Sequence, residues 1–157
     1  MRFTSVEMIE KLVSFDTTSR LSNLPLIDFV RDYLAAHGVE AHVVPNADGS
    51  KANLFATIGP MVDGGVVLSG HTDVVPVDGQ DWSRDPFRMS EADGRLYGRG
   101  TTDMKGFVAC AIEAISAAKS RTLSRPLHIA LSYDEEIGCI GVRPMLAELA
   151  RAGVKPD

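Results

Sequence analysis

Three short stretches of the sequence concentrate residues that could do chemistry. The first is Gly70-His71-Thr72-Asp73, which follows the apolar run 66–69. Residues two apart in an extended chain point to the same face, so the Asp73 carboxylate can hydrogen-bond one ring nitrogen of His71. The other nitrogen then keeps a free lone pair, as in metal sites where a carboxylate orients a histidine ligand. A polar loop at a strand end is the simpler interpretation of this stretch taken alone.

The second stretch, residues 98–106, precedes an apolar helical pattern. Its glycines allow close approach of the backbone. The spacing differs from the dinucleotide-binding fingerprint because Asp103 occupies the position of the third glycine. Asp103 is predicted at or near the start of the helix. There its side chain either caps the helix or extends into a crevice as a carboxylate ligand.

The third stretch is Asp134-Glu135-Glu136, directly after a strand pattern. Three adjacent acids repel one another unless a cation lies between them. In an extended backbone Glu135 and Glu136 point to opposite sides, so one can bind a metal while the other accepts a proton. The alternatives are a solvated acidic loop and a helix-capping box formed by Ser132 with Glu135.

Strand and helix patterns alternate along the chain, which favours an α/β fold with a mixed, largely parallel sheet and helices on both faces. The first two strands are predicted to form a hairpin. In such sheets ligands bind at the carboxyl ends of strands, and all three stretches fall at such ends or just beyond them. The predicted helices are 5–15, 24–36, 107–115 and 142–150, and the predicted strands are 39–44, 53–58, 66–70, 95–97 and 127–133.

One imidazole and several carboxylates at one edge of a sheet suit a divalent metal such as zinc, cobalt or manganese. Two such ions about 3.5–4 Å apart would clamp a substrate carbonyl and lower the pKa of water from about 16 towards about 7. The candidate residues are therefore those of a metal-dependent amide hydrolase.

The composition excludes several other classes. The chain has 157 residues, 45% hydrophobic and 24% charged, which favours one globular domain. Its net charge is −5, which does not indicate the basic face that binding of nucleic acids requires. No apolar run reaches the roughly 20 residues of a membrane span. The N-terminal residues lack the apolar region of a signal peptide, so we expect a cytoplasmic location. Cys110 and Cys139 fit no disulfide framework and are predicted to be buried free thiols.

Together the three stretches resemble the signature of the co-catalytic zinc amidohydrolases and peptidases (the M20-like family). That family includes deacetylases, desuccinylases and aminoacylases that act on N-acyl amino acids. The blocks that carry the resemblance occur in the family's order and are residues 69–73, 98–100, 103–106 and 134–136 with Gly138. The sequences of residues 74–82 and 131–139 are most similar to those of the deacetylases of N-acetylornithine, an intermediate of arginine biosynthesis.

The resemblance implies a role for each site residue. His71 would bind one zinc ion, Glu136 a second zinc ion, and Asp103 would bridge both, with Co²⁺ as a possible substitute. Glu135 would be the general base and Asp73 the catalytic partner that orients His71. A cis peptide bond is expected between Asp103 and Met104. The substrate would be a small-molecule N-acyl amino acid, with no nucleic acid or membrane as partner.

Members of the family are more than twice as long as this chain. We therefore expect residues 1–157 to be the N-terminal part of a single catalytic domain. The dimer-forming domain, the C-terminal part and the remaining metal ligands would lie elsewhere in a homodimeric parent enzyme. The chain alone is expected to bind zinc weakly and to be inactive. A desuccinylase or aminopeptidase is the close alternative, and a non-catalytic metal-binding or interaction module is the alternative from another class. The presence of Glu135 beside Glu136 favours the enzyme.

Overall fold

The computed structural model describes residues 2–157 and has the order of elements expected of an α/β protein. The helix Leu24–Ala36 has the predicted bounds. The strand Ser90–Ala92 was not predicted, because its three residues include none of the β-branched or aromatic types typical of strands. The helices are α1 (Ser5–Val13), α2 (Leu24–Ala36), α3 (Lys105–Ala118) and α4 (Arg143–Arg151). The strands are β1 (Ala41–Pro45), β2 (Ala52–Ile58), β3 (Val66–His71), β4 (Ser90–Ala92), β5 (Arg95–Tyr97) and β6 (Leu127–Ser132).

The main sheet has four strands in the order β1-β2-β6-β3. β1 pairs with β2 as the predicted antiparallel hairpin, and β2 pairs antiparallel with β6. Only β3 and β6 run parallel among the described strands of this sheet. The α/β class and the mixed sheet are confirmed, but the sheet is not largely parallel as predicted. A short turn joins β1 to β2, and such a turn permits antiparallel pairing alone.

The parallel pair positions the candidate site. His71, the last residue of β3, lies opposite Ser132, the last residue of β6. The loops that follow the two strands therefore leave the sheet at the same edge. They carry Asp73 in one case and residues 134–136 in the other. This register brings the first and third predicted stretches side by side.

Helices cover both faces of the sheet, as predicted. Ile129 and Leu131 of β6 belong to the larger buried cluster, which includes side chains of α1, α2 and α3. Between them, Ala130 points the other way and packs with Phe55 and with Met145 of α4. This alternation along β6 is the ordinary two-residue period of a strand between two layers. None of the helices within residues 2–157 is both long and apolar enough to cross a membrane.

A segment between α1 and α2 extends the parallel arrangement. Thr18 forms an isolated parallel bridge with Val74. The Ser19 backbone N–H donates to the Val74 carbonyl at 3.1 Å, and the Val74 N–H donates to Thr17 at 3.1 Å. The Thr17 hydroxyl also donates to the Thr72 carbonyl at 2.6 Å. Residues 17–19 are thereby fixed beside the loop that follows β3.

Both cysteines are free thiols, but the prediction that they are buried is wrong. Cys110 lies on the exposed side of α3, next to the buried positions Ala109 and Ala111. Cys139 is exposed in the loop after β6, where its Sγ lies 3.4 Å from Glu135 Oε1. Cys110 is thus exposed beside buried neighbours, whereas the apolar residues near Cys139, Ile137 and Ile140, are themselves exposed.

Candidate metal centre

His71 presents one ring nitrogen to the site and uses the other for orientation. Its side chain is only 7% exposed. Nδ1 lies 3.0 Å from the backbone carbonyl oxygen of Asp73. Because a carbonyl only accepts, Nδ1 carries the hydrogen and donates to it. Nε2 faces Asp103 Oδ1 at 3.1 Å and Glu135 Oε2 at 3.7 Å. In the neutral ring, this tautomer leaves the Nε2 lone pair available to a cation.

Asp73 lies close to His71, but its carboxylate does not make the hydrogen bond that was predicted. Oδ1 is 3.6 Å from His71 Nδ1, and the carbonyl of Asp73 takes the closer contact. Its carboxylate instead accepts hydrogen bonds from the backbone N–H groups of Glu135 at 3.1 Å and Glu136 at 3.2 Å. It also accepts the hydroxyl of Ser19 at 2.7 Å. Asp73 therefore connects the β3 loop to the β6 loop.

The ionisation of Asp73 matches these contacts. Burial raises the pKa of Asp73, but the nearby His71 ring and the hydrogen bonds from Ser19 and the two glutamate N–H groups outweigh burial and lower the pKa below its usual value. Hydrogen bonds to the charged form of a carboxyl group favour that form. Asp73 is therefore a buried carboxylate that stays charged.

Glu135 and Glu136 do not point to opposite sides as the extended backbone would require. Asp134 has a positive φ of 55°, and the chain then turns, with the N–H groups of Gly138 and Cys139 donating to the Glu135 carbonyl at 3.0 and 2.9 Å. As a result, one donor atom from each of His71, Glu135 and Glu136 lies within 4.8 Å of the other two. The capping box of Ser132 with Glu135 does not form, because the next helix begins only at residue 143.

Asp103 lies immediately before α3 but does not cap it. The N-cap residue is Met104, with no side-chain capping bond. The Asp103 side chain is 72% exposed and touches the site through His71 Nε2. The Asp103–Met104 peptide bond is cis, as expected. Gly100 has a φ of +86°, and a Cβ there would lie 2.9 Å from Val74, so the tight turn before Asp103 requires glycine.

The electrostatics of the cluster favour a positive charge at its centre. Burial lowers the pKa of His71, but hydrogen bonds to Asp73 and Asp103 outweigh it and raise the pKa to about 9. Burial also raises the pKa of Glu136, and the Asp103 carboxylate raises it further. Close carboxylates raise one another's pKa values until a cation compensates them.

The donor set fits a divalent metal ion. It combines one imidazole nitrogen, whose other nitrogen is oriented by a hydrogen bond, with oxygens from several carboxylates. Such mixed nitrogen and oxygen sets are typical of zinc, cobalt and manganese sites. The structure groups Glu135 with His71 and Glu136, whereas Asp103 reaches the same point through His71 Nε2. All five candidate residues therefore lie in one place.

Four polar residues that hold this site together were not identified from the sequence. Asn23 donates to the Ala52 carbonyl at 2.8 Å and to the Thr72 hydroxyl at 2.9 Å. Asn53 donates to the Gly141 carbonyl at 2.9 Å. Ser19 and Lys51 contact Asp73 and Asp134. A polar residue inside an apolar strand pattern, as at Asn53, is the one signal that could have been noticed.

Two cavities lie near these loops. One of about 260 Å³ lies beside the donors and is lined by His71, Glu135 and Met104, among others. A larger cavity of about 430 Å³ is lined by residues 80–85 and parts of the β4–β5 hairpin, and none of the donors lines it. The smaller cavity therefore has the chemistry, although the larger one has more space.

The sequence pattern of one known family matches residues 67–157, more than half of the chain. The chain belongs to peptidase family M20/M25/M40. The matched region runs from β3 to the last residue and so includes every candidate donor from His71 to Glu136. The resemblance carried by the three motifs is confirmed at the level of the family.

Individual relatives agree with membership of the M20/M25/M40 family. Acetylornithine deacetylase of Pasteurella multocida (strain Pm70) is 38% identical over 160 residues, which cover 97% of this chain and 41% of that protein. The structure of human carnosine dipeptidase 1 is 26% identical, with a TM-score of 0.82, and covers 97% of this chain and 37% of its own. The M20 family metallo-carboxypeptidase Sso-CP2 from Sulfolobus solfataricus shares the fold, with 20% identity, a TM-score of 0.81 and coverage of 96% and 35%. The chain spans 41% of the length of the first relative.

Proposed function

We propose that this chain carries the metal-binding part of a metal-dependent amidohydrolase that cleaves the amide bond of an N-acyl amino acid. The observation that supports this most directly is the convergence of His71, Glu135 and Glu136, with donor atoms within 4.8 Å of one another. The relatives named acetylornithine deacetylase support N-acetylornithine as the substrate and a place in arginine biosynthesis. The activity is proposed for a polypeptide as long as these relatives, and we propose that the 157-residue chain alone is inactive.

The roles proposed for the site residues are those that the family resemblance implies, and the positions of the residues are compatible with them. His71 Nε2 and a carboxylate oxygen of Glu136 would hold a metal ion, and the 72% exposed carboxylate of Asp103 would be shared between two ions, as the resemblance implies. Glu135 accepts a proton from the attacking water, since its carboxylate is 42% exposed and lies 3.7 Å from His71 Nε2. Asp73 holds the glutamate backbone so that these groups keep their geometry.

Divalent ions bound here, Zn²⁺ or Co²⁺, would supply a Lewis acid that polarises the amide carbonyl and makes water more acidic. The protein residues contribute orientation and proton transfer. Burial first, and then the neighbouring Asp103 carboxylate, raise the pKa of Glu136, and this crowding of carboxylates supports a cation site here. The remaining ligands of a complete two-metal centre are proposed to lie outside residues 1–157.

Metal titration of the purified chain tests the site without requiring turnover. We expect weak binding of Zn²⁺ and Co²⁺ by calorimetry, abolished in His71→Ala. The matched control is His42→Ala, because His42 is exposed and pairs with Glu148 at 2.7 Å, away from the donors. Equal affinities of the two variants would contradict the assignment of the site.

A second comparison separates ligand from base. We expect Glu136→Gln to weaken metal binding by at least about tenfold, and Glu135→Gln to change it little. In a polypeptide of the relatives' length, Glu135→Gln should abolish hydrolysis of N-acetylornithine while metal content stays near normal. A large loss of affinity in Glu135→Gln would instead make Glu135 a ligand. Hydrolysis of N-succinyl-diaminopimelate in preference to N-acetylornithine would identify the desuccinylase alternative. Robust hydrolysis by residues 1–157 alone would contradict the proposed inactivity of the chain.

A further inference from the structure

Four polar residues and the backbone of the two glutamates form a closed series of hydrogen bonds and ion pairs. We call Ser19, Lys51, Asp73 and Asp134 the latch. Ser19 donates through its hydroxyl to Asp73 at 2.7 Å, and Lys51 Nζ donates to the Ser19 carbonyl at 2.5 Å. Lys51 also forms an ion pair with Asp134. Asp134 precedes Glu135 in the chain, and Asp73 accepts the glutamate N–H groups, which closes the series.

One side of the latch is anchored to the β3 loop. Ser19 is 6% exposed and is held by its backbone N–H bond to Val74 at 3.1 Å. Its hydroxyl and the Glu136 N–H share the same carboxylate oxygen of Asp73. Loss of the hydroxyl would therefore free that oxygen to move away from Glu136.

The other side of the latch is anchored to β2. Lys51 directly precedes β2, and its backbone N–H donates to the Asn46 side chain at 3.0 Å. The side chains of Lys51 and Asp134 are 14% and 11% exposed, so water screens their charges weakly. Asp134 has the positive φ from which the Glu135–Glu136 turn begins. The ion pair therefore fixes the residue that sets the direction of both glutamates.

We propose that Lys51, Ser19 and Asp134 are positioning residues, which act on the metal centre through the Glu135–Glu136 backbone. The latch holds the Glu135–Glu136 backbone in two ways. Lys51 pairs with the side chain of Asp134, and Asp73 accepts hydrogen bonds from the N–H groups of both glutamates. The inference rests on the proposed function for its consequence on metal binding. Its structural content can be measured without a metal.

The experiment compares Lys51→Met, Lys51→Arg and Ser19→Ala with the unchanged chain. The control is Lys155→Met, which removes a lysine whose partner Asp63 is 4.0 Å away, both side chains being over 70% exposed. In the metal-free chain, amide hydrogen exchange by NMR should show about tenfold less protection at Glu135 and Glu136 in Lys51→Met and in Ser19→Ala. Lys51→Arg should restore most of it, because a guanidinium can also pair with Asp134.

The same variants are then titrated with Co²⁺, followed by its visible spectrum. Changes in residues that orient metal ligands typically cost about 10–100-fold in affinity. We expect a loss of about tenfold in Lys51→Met with an altered spectrum, recovery in Lys51→Arg, and no change in Lys155→Met. A purely structural role of Lys51 would lower stability without changing the spectrum of the bound ion.

The outcomes separate the two proposals. If the unchanged chain binds no Co²⁺, the proposed function fails, while the exchange data still decide on the latch. If Glu135 and Glu136 keep their protection in Lys51→Met and in Ser19→Ala, the latch is overturned. Should Lys51→Met not fold by circular dichroism, Ser19→Ala decides, since it removes a single hydroxyl.

Discussion

Replacing Asp73 with asparagine tests the central connection of the site. The carboxylate of Asp73 faces donors on both oxygens. Oδ1 accepts the Glu135 N–H at 3.1 Å, and Oδ2 accepts the Glu136 N–H at 3.2 Å and the Ser19 hydroxyl at 2.7 Å. An asparagine amide has nearly the same shape but turns one acceptor into a donor. In either orientation, its NH₂ group meets a backbone N–H, so one buried donor loses its partner.

The expected cost follows from these contacts. An unsatisfied buried donor costs about 1–3 kcal/mol. The surviving bonds change from charge-assisted, at about 1.5–3 kcal/mol each, to neutral, at about 0.5–1.5 kcal/mol each. Asp73→Asn should therefore lower the free energy of unfolding by about 2–5 kcal/mol. That is a large part of the roughly 5–15 kcal/mol typical of a folded domain.

The effect of Asp73 depends on pH with a definite sign. The pKa of Asp73 is lowered in the folded chain, so the folded state favours the carboxylate. Its contribution is complete above the unfolded pKa of about 3.9 and is lost as the pH falls through the lower folded value. The variant has no carboxyl group at this position. The difference in stability between Asp73→Asn and the unchanged chain should therefore narrow in acid.

Urea unfolding of the metal-free chain in EDTA measures this difference at pH 7 and at lower pH. The matched control is Asp48→Asn, an exposed aspartate that accepts the N–H and hydroxyl of Ser50 at 2.9 and 2.6 Å. We expect little change in the control, since water can replace these bonds. Equal stability of the two variants at pH 7 would refute the claim that Asp73 joins the two loops.

Two further predictions concern other parts of the fold. A Cβ at Gly141 would lie 1.9 Å from the Tyr133 carbonyl oxygen, so Gly141→Ala should cost about 3 kcal/mol or more in urea unfolding. A Cβ at Gly79 would have no heavy atom of another residue within 4 Å, so in Gly79→Ala only the positive φ of +71° should destabilise the fold, by about 1–2 kcal/mol. Equal losses of stability in the two variants would contradict the steric argument. Burial and a hydrogen bond to Glu113 raise the pKa of Tyr33 to about 12. The folded pKa exceeds the unfolded value of about 10, so this contribution to stability is present below pH 10 and is lost between pH 10 and 12. Tyr33→Phe should remove this pH dependence, and a tyrosinate absorbance change near pH 10 that is present in the folded chain and missing in Tyr33→Phe would show the pKa of Tyr33 to be ordinary.

Local patterns in the sequence were sufficient to predict most helices and strands and the positions of the candidate metal ligands relative to them. The helix Leu24–Ala36 has its predicted bounds because apolar residues recur at helical spacing and Pro25 fits the first turn. His71 lies at the end of β3 and Asp103 lies two residues before α3, each next to a well-marked element of the sequence, as predicted. These features depend on neighbours in the chain, which a single sequence displays.

Features that depend on distant residues were not accessible in the same way. The antiparallel pairing of β2 with β6 joins residues 69 to 77 positions apart in the chain, and no local pattern specifies it. The direction of Glu136 depends on the positive φ of Asp134, and the side chain of Asp134 pairs with Lys51, which lies just before β2. The exposure of Cys110 depends on which side of α3 meets the sheet, and an apolar helix hides that choice.

The way the site is held explains how acidic side chains can converge without engaging one another's oxygens for support. The backbone N–H groups of Glu135 and Glu136 are bound by Asp73, and the residue before them is bound by Lys51. Their positions are therefore set mainly through the backbone and not through the carboxylate groups that would act as ligands. Asp73 also contacts His71, so the imidazole and the glutamates share one support and should move together. A site preorganised in this manner needs little rearrangement when a cation binds, and preorganised donors are those that stabilise charge most effectively.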